Sequence, residues 1–252
     1  MNKHRCLFLL VGLLQLVSAL AMDRKERFYG EFKLPSDPRS FNLSQGRFNE
    51  KRLSKLSDDR LSQVIKLDLS GNGLKAFPKQ LLKRMPNLLS LNVSGNSIAE
   101  WESLPYLPQL QKLDMSGNSL KTLRWMPTMS ELRELDISGN QLDSLRWVSD
   151  MPKLLNLNVS GNSLTEWESL PYLPQLQKLD MSGNSLKTLR WMPNMPELRE
   201  LNVSGNQLDS LRWISDMPKL KMFNVANNDE DVNTVLLTGF FHAYGPINNY
   251  FD

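Results

Sequence analysis

Cysteine is almost absent from this 252-residue chain, and the single one, Cys6, stands near the amino terminus. Beyond it there is no thiol, which excludes a disulfide framework, a Cys-based metal site, a redox pair and a cysteine nucleophile. A chain of this length buries enough apolar surface to stand without covalent staples. Histidine is nearly as scarce: His4 and His242 are the only two. One imidazole in the body of the chain cannot supply a nucleophile–base–orienter set or a His/Cys ligand spacing, and no phosphate-cradling glycine motif occurs. The residues therefore point away from catalysis, and no cofactor or metal is expected. His242 is read as structural or solvated.

A block of one charge sign is also missing. Without Lys3 and Arg5, 28 basic residues face 27 acidic ones. Nucleic acid and anionic membranes need concentrated Lys and Arg, so neither is an expected partner. After residue 21 no apolar run reaches membrane length. No lipidation signal occurs, and Asn248 to Asp252 do not form a retention tetrapeptide.

The amino terminus has its own layout. Lys3, His4 and Arg5 are basic, Cys6 to Leu16 are nearly all apolar, and Ala19-Leu20-Ala21 is a small-x-small cleavage site. Residues 1–21 read as a secretory signal peptide, with Met22 opening the mature chain; a signal anchor is the alternative. The expectation is a secreted, extracellular protein with no stable membrane insertion after signal cleavage.

What the chain has in abundance is repetition. Asn72, Asn96, Asn118, Asn140, Asn162, Asn184, Asn206 and Asn228 recur at steps of 24 and then 22 residues, and all but the last follow Ser-Gly. Apolar residues keep step: Leu120, Leu123, Met126, Met129, Leu132, Leu135 and Ile137 precede Asn140. Spacing of two, as in Leu135-x-Ile137, makes a short strand with both side chains on one face. Spacing of three suits extended or tight helical turns that keep one side inward. Each coil buries one edge only and needs neighbours. Eight stacked parallel strands, joined by right-handed crossovers, are expected.

This pattern resembles the leucine-rich-repeat superfamily over residues 61–228. The 22-residue coils resemble its short class. The 24-residue coil with Phe77-Pro78 and Met85-Pro86-Asn87-Leu88 resembles its typical extracellular class. The resemblance implies an α/β fold: a right-handed horseshoe solenoid with short parallel strands on the concave face and 3-10, short helical or extended segments on the convex side. It also implies an asparagine ladder from Asn96 through Asn206, each side chain bonded to backbone. Above the short period lies a longer one. Residues 97–162 and 163–228 align without a gap and differ at twelve positions, a tandem duplication of three coils. Residues 22–60 read as an N-terminal arm and cap, anchored by Leu53, Leu56 and Leu61. Residues 229–252 read as a C-terminal cap.

Two surfaces compete as the binding site for a protein ligand. On the concave face, alternation exposes Lys66, Asp68, Lys112, Asp114, Glu134, Asp136, Lys178, Asp180 and Glu200. The plainer alternative is a solvated polar face, because aromatic anchors are missing there. Calcium on the Asp column is discounted, since single carboxylates on neighbouring strands do not make an oxygen cage. The other surface is a flank formed by Arg124, Trp125, Arg146, Trp147, Arg190, Trp191, Arg212 and Trp213, whose plainer alternative is coil-on-coil packing. Four N-x-S sequons, at Asn42, Asn92, Asn158 and Asn202, make N-glycosylation an expectation. Asn42 is placed in the arm and the other three on the concave face. The expected function is non-catalytic recognition of a protein by a secreted module. The alternatives are a scaffold or regulatory subunit binding an enzyme such as a phosphatase, and a surface adhesin resembling bacterial internalins.

Overall fold

The computed structural model describes residues 37–100, 104–122, 129–144, 151–166, 173–189, 195–210 and 217–229. Residues 1–21, read as a signal peptide, residues 22–36, and residues 230–252 of the segment read as a C-terminal cap, His242 among them, fall outside the described residues, as do all six tryptophans.

Nine three-residue strands lie side by side in chain order: β1 (Ser40–Asn42), β2 (Lys66–Asp68), β3 (Ser90–Asn92), β4 (Lys112–Asp114), β5 (Glu134–Asp136), β6 (Asn156–Asn158), β7 (Lys178–Asp180), β8 (Glu200–Asn202) and β9 (Met222–Asn224). Every neighbouring pair is parallel, and equivalent residues of successive coils stand opposite one another. The chain is thus a parallel-stranded leucine-rich solenoid. The strands are short because each is followed by a left-handed turn residue, a glycine from β2 to β8 and Asn227 after β9. Gly139, at φ 61, turns the chain after Ile137-Ser138, a conformation in which a Cβ is strained.

Leucine spacing builds the interior. In the coil of β5, Leu132, Leu135, Ile137 and Leu142 are at most 2% exposed, as is Met129. The spacing of three closes a single tight turn, in which Leu132 N donates to Met129 O at 3.0 Å. The 24-residue coil has room for more, and it forms α3 (Lys79–Leu82), burying Leu81 and Leu82. Upstream lie α1 (Glu50–Leu53), capped by Asn49, and α2 (Asp58–Ser62), capped by Ser57. Arg84 donates to Ser54 O and Leu56 O and pairs with Asp58, fastening these helices to the next coil.

The asparagine ladder holds the turns together. Asn140 Nδ2 donates to Met115 O in the preceding coil and to Ile137 O in its own, while its Oδ1 accepts from Leu120 N at 3.0 Å. The same arrangement runs from Asn72 to Asn228, one coil further at each end than the expected Asn96 to Asn206. Asn118, Asn140 and Asn206 are buried, and an amide so placed is tolerated because it is bonded.

The sheet also begins earlier than the leucine count suggests. Ser40–Asn42, inside the segment read as arm and cap, pairs with β2 as a ninth strand, not an eighth. Phe41 and Leu43 supply the required spacing of two and are buried. The Ser-Gly-Asn signature is missing there; Gln45 and Gly46, at φ 56 and 76, make the turn instead. Phe41 at one end of the described sheet and Phe223 at the other replace the leucine of the inner strands.

Candidate functional site

Alternation fixes what the sheet shows to solvent. In each strand the middle residue is buried and the two flanking residues are not. The outer positions line up into two columns. The first runs Ser40, Lys66, Ser90, Lys112, Glu134, Asn156, Lys178, Glu200, Met222; the second runs Asn42, Asp68, Asn92, Asp114, Asp136, Asn158, Asp180, Asn202, Asn224. All nine residues expected on this face are brought together on it.

The columns are internally wired. Lys112 Nζ bonds Glu134 Oε2 at 2.6 Å, and Lys178 bonds Glu200 Oε1 at 2.8 Å. The Lys112 ammonium is held above the ordinary lysine value of 10.5. The hydrogen bond to Glu134 is the main cause, opposed by desolvation and supported by the charges of Glu134, Asp114 and Asp136. Away from the columns, Glu131 pairs with Lys153 and Glu197 with Lys219, one coil apart each time.

The second column has a structural duty. Asp136 Oδ1 accepts from Ser138 N at 2.9 Å and Ser138 Oγ at 2.7 Å; Asp114 and Asp180 do the same with Ser116 and Ser182. Asn158 and Asn202 substitute an amide oxygen in the same turn. Their Nδ2 atoms donate to Asp136 Oδ2 and Asp180 Oδ2 of the preceding coil, each at 3.1 Å. An N-x-S triplet therefore arises where this column holds an amide in place of a carboxylate and the serine two residues on is kept; Asn224, followed by Ala226, makes none.

Asn42 is not in a loose arm. It heads the same column, on the outermost described strand, and its Oδ1 accepts from Ser44 Oγ at 2.8 Å. Its Nδ2 has no partner among the described residues, and the residue is exposed. The flank candidates Arg124, Trp125, Arg146, Trp147, Arg190, Trp191, Arg212 and Trp213 lie outside the described residues.

The columns are not uniform along the sheet. Between β6 and β9 the face is hollowed into an open depression of about 420 Å³ that includes Asn156, Lys178, Glu200 and Met222. Met222 is 41% exposed, one of two large apolar side chains in the open among the described residues, Tyr106 being the other. Met222 was legible as a member of the first column but not as a candidate. The signal was its mismatch with Asn156 at the equivalent place of the duplication. Among the described residues, no cluster of His, Cys, Asp and Glu is arranged to hold a metal ion, and no helix is long and apolar enough to cross a membrane.

A family model described as Leucine rich repeat matches residues 62–120 and 165–208, and one described as Leucine Rich repeats (2 copies) matches 108–150. No curated protein matches the chain significantly in sequence. Among solved structures, internalin C2 from Listeria monocytogenes str. 4b F2365 is similar with a TM-score of 0.64 and 21% identity, over 69% of this chain and 76% of that one. TLR13, in its complex with ssRNA13, gives 0.59 and 21%, over 74% of this chain but 28% of the other. The leucine-rich repeat domain of APL1B gives 0.55 and 21%, over 85% and 66%. At these identities the likeness is one of fold.

Proposed function

The chain belongs to the leucine-rich-repeat superfamily, and from that premise we propose that it is a secreted, non-catalytic recognition module that binds a protein partner on the exposed face of its sheet. One observation carries the reading. The buried leucines, the turn glycines and the ladder asparagines recur nearly unchanged from coil to coil, as the fold requires. The first column instead reads Lys66, Ser90, Lys112, Glu134, Asn156, Lys178, Glu200, Met222. Variation along a contiguous, solvent-facing column, with no packing reason for it, is where we place specificity.

The partner is a protein and not a nucleic acid. The TLR13 neighbour is in complex with ssRNA13, but here Asp68, Asp114, Asp136, Asp180, Glu134 and Glu200 face Lys66, Lys112 and Lys178 on the two columns. That balance repels phosphates. Export rests on the tripartite layout of residues 1–21 and on the sequons. Asn42, exposed and with an uncommitted amide nitrogen, is the preferred glycan acceptor; a glycan on Asn92, Asn158 or Asn202 would stand on the binding face itself.

The test is cross-linking on living cells with the full chain. Alanine variants of Lys112, Glu134, Lys178 and Glu200 are expected to lose the cross-linked partner, while alanine variants of Trp125, Trp147, Trp191 and Trp213 that remain folded keep it. The opposite result would transfer the function to the flank. Retention of the chain inside the producing cell, with no mass lost on deglycosylation, would overturn the export reading.

A further inference from the structure

The duplication allows one half of the face to be read against the other. Lys112, Asp114, Glu134 in the first copy recur as Lys178, Asp180, Glu200 in the second. Asp136, however, becomes Asn202, and Asn156 becomes Met222. Both changes remove polarity from the sheet face, and both line the depression or its rim. The second copy is left with one ammonium against two carboxylates. Glu200 is bonded to Lys178 at 2.8 Å, and Asp180 Oδ2 to Asn202 Nδ2 at 3.1 Å. Both carboxylates and the ammonium are hydrogen-bonded internally, so an uncharged occupant can cover them without breaking those bonds.

We propose that the β6–β9 end of the sheet face binds an uncharged extended polypeptide segment of the partner, which seats one apolar side chain on Met222. This rests on the recognition reading above and assigns it a place and a chemistry. Met222 supplies a pliable thioether, suited to contact with aliphatic or aromatic groups. Across the same depression stand Asn156, Asn202 and Asn224, whose amides each carry a donor and an acceptor, as a peptide bond does. The Asn156 side-chain amide has no hydrogen bond among the described residues, and the Asn202 and Asn224 side chains have only part of their capacity used there. From β6 to β9 is three strand spacings, roughly 14 Å, which about four or five extended residues span. The first copy lacks the apolar anchor and carries one carboxylate more.

A phage-displayed library of linear twelve-residue peptides, panned on the full chain, supplies the probe. Selected peptides should be uncharged at their centre and share an apolar residue there. M222N, which restores the residue of the first copy at an exposed site, should weaken a synthetic selected peptide at least tenfold in calorimetry. If M222N is silent while K112A/E134A abolishes binding, the inference falls and the sheet-face reading stands. If both are silent, both readings fall. Failure to select any peptide, or dimerisation of the chain itself that M222N abolishes in sedimentation, also overturns the inference.

Discussion

Residues 97–162 and 163–228 are the same three coils written twice, and their twelve differences sort by position. Inside, the exchanges keep apolar character, though Leu157 to Phe223 changes size: Ile98 with Leu164, Ile137 with Val203, Leu157 with Phe223, all buried. The ladder asparagines do not change. On the sheet face, Asp136 and Asn156 face Asn202 and Met222, and the chemistry changes outright. A coil's interior is constrained by two neighbours at once, because each buried side chain packs against coils above and below. Its first exposed column has no such constraint, and the second must keep only a side-chain oxygen for the turn that follows. The two copies are thus equivalent as structure and unequal as surface.

That equivalence can be broken most forcefully in the core. Leu135→Ala in β5 and Leu201→Ala in β8 remove side chains of the same burial, 2% exposed each. Each should cost about 2–5 kcal/mol in urea unfolding, and the two should agree closely. A cost for Leu201→Ala far below that for Leu135→Ala would mean that the second copy unfolds separately from the first. Asn140→Ala and Asn206→Ala come next. Each strands a backbone N–H, of Leu120 and Leu186 respectively, that no other group satisfies among the described residues. The expected loss is about 1–3 kcal/mol, read as a lower melting temperature; no change in either variant would contradict the ladder.

A smaller effect separates the copies at one turn. Gly161 of the first copy corresponds to Asn227, which holds φ 57 as a non-glycine. Asparagine is the residue most tolerant of that conformation after glycine. A Cβ on Gly139 would meet Gly117 N at 3.4 Å, a close but ordinary contact. Gly139→Asn should therefore cost no more than ~1 kcal/mol, and Gly139→Val clearly more. Equal melting temperatures for the two variants would show that the turn does not depend on the left-handed conformation.

Much of this was legible before any coordinates. The strands β2 to β9, the inward leucines and the nine charged face residues follow from periods of two and three, because a side chain's direction in a strand is fixed by parity. β1 was not legible as a strand: Phe41-x-Leu43 carries the spacing but not the Ser-Gly-Asn turn, and a single period-two pair is too short a signal by itself. Placing Asn42 in an arm followed from that omission. The role of the Asp/Asn column was hidden for another reason. Its carboxylates looked like free surface charge, whereas Asp114, Asp136 and Asp180 each hold the backbone of a serine two residues on. The hollow at Met222 depends on how neighbouring side chains lie across four strands, which no linear spacing records.

The weakest distinction between the copies is electrostatic. Lys112 lies beside Glu134 and among Asp114 and Asp136, where the second copy has Asn202 in place of the last. The exposed Lys112–Glu134 bond contributes only ~0.2–1 kcal/mol, less at high salt. Because the folded pKa is raised, that contribution is complete below 10.5, the ordinary lysine value, and disappears as the pH rises through the folded value. Glu134→Gln removes both the charged hydrogen-bond acceptor and its Coulomb attraction, whereas Asp136→Asn removes one more distant charge. An NMR titration of the Lys112 ε-methylene should show a fall in pKa for both variants, larger for Glu134→Gln. A larger fall for Asp136→Asn would mean that the second-column carboxylates, and not the ion pair between strands, set the potential of the first copy.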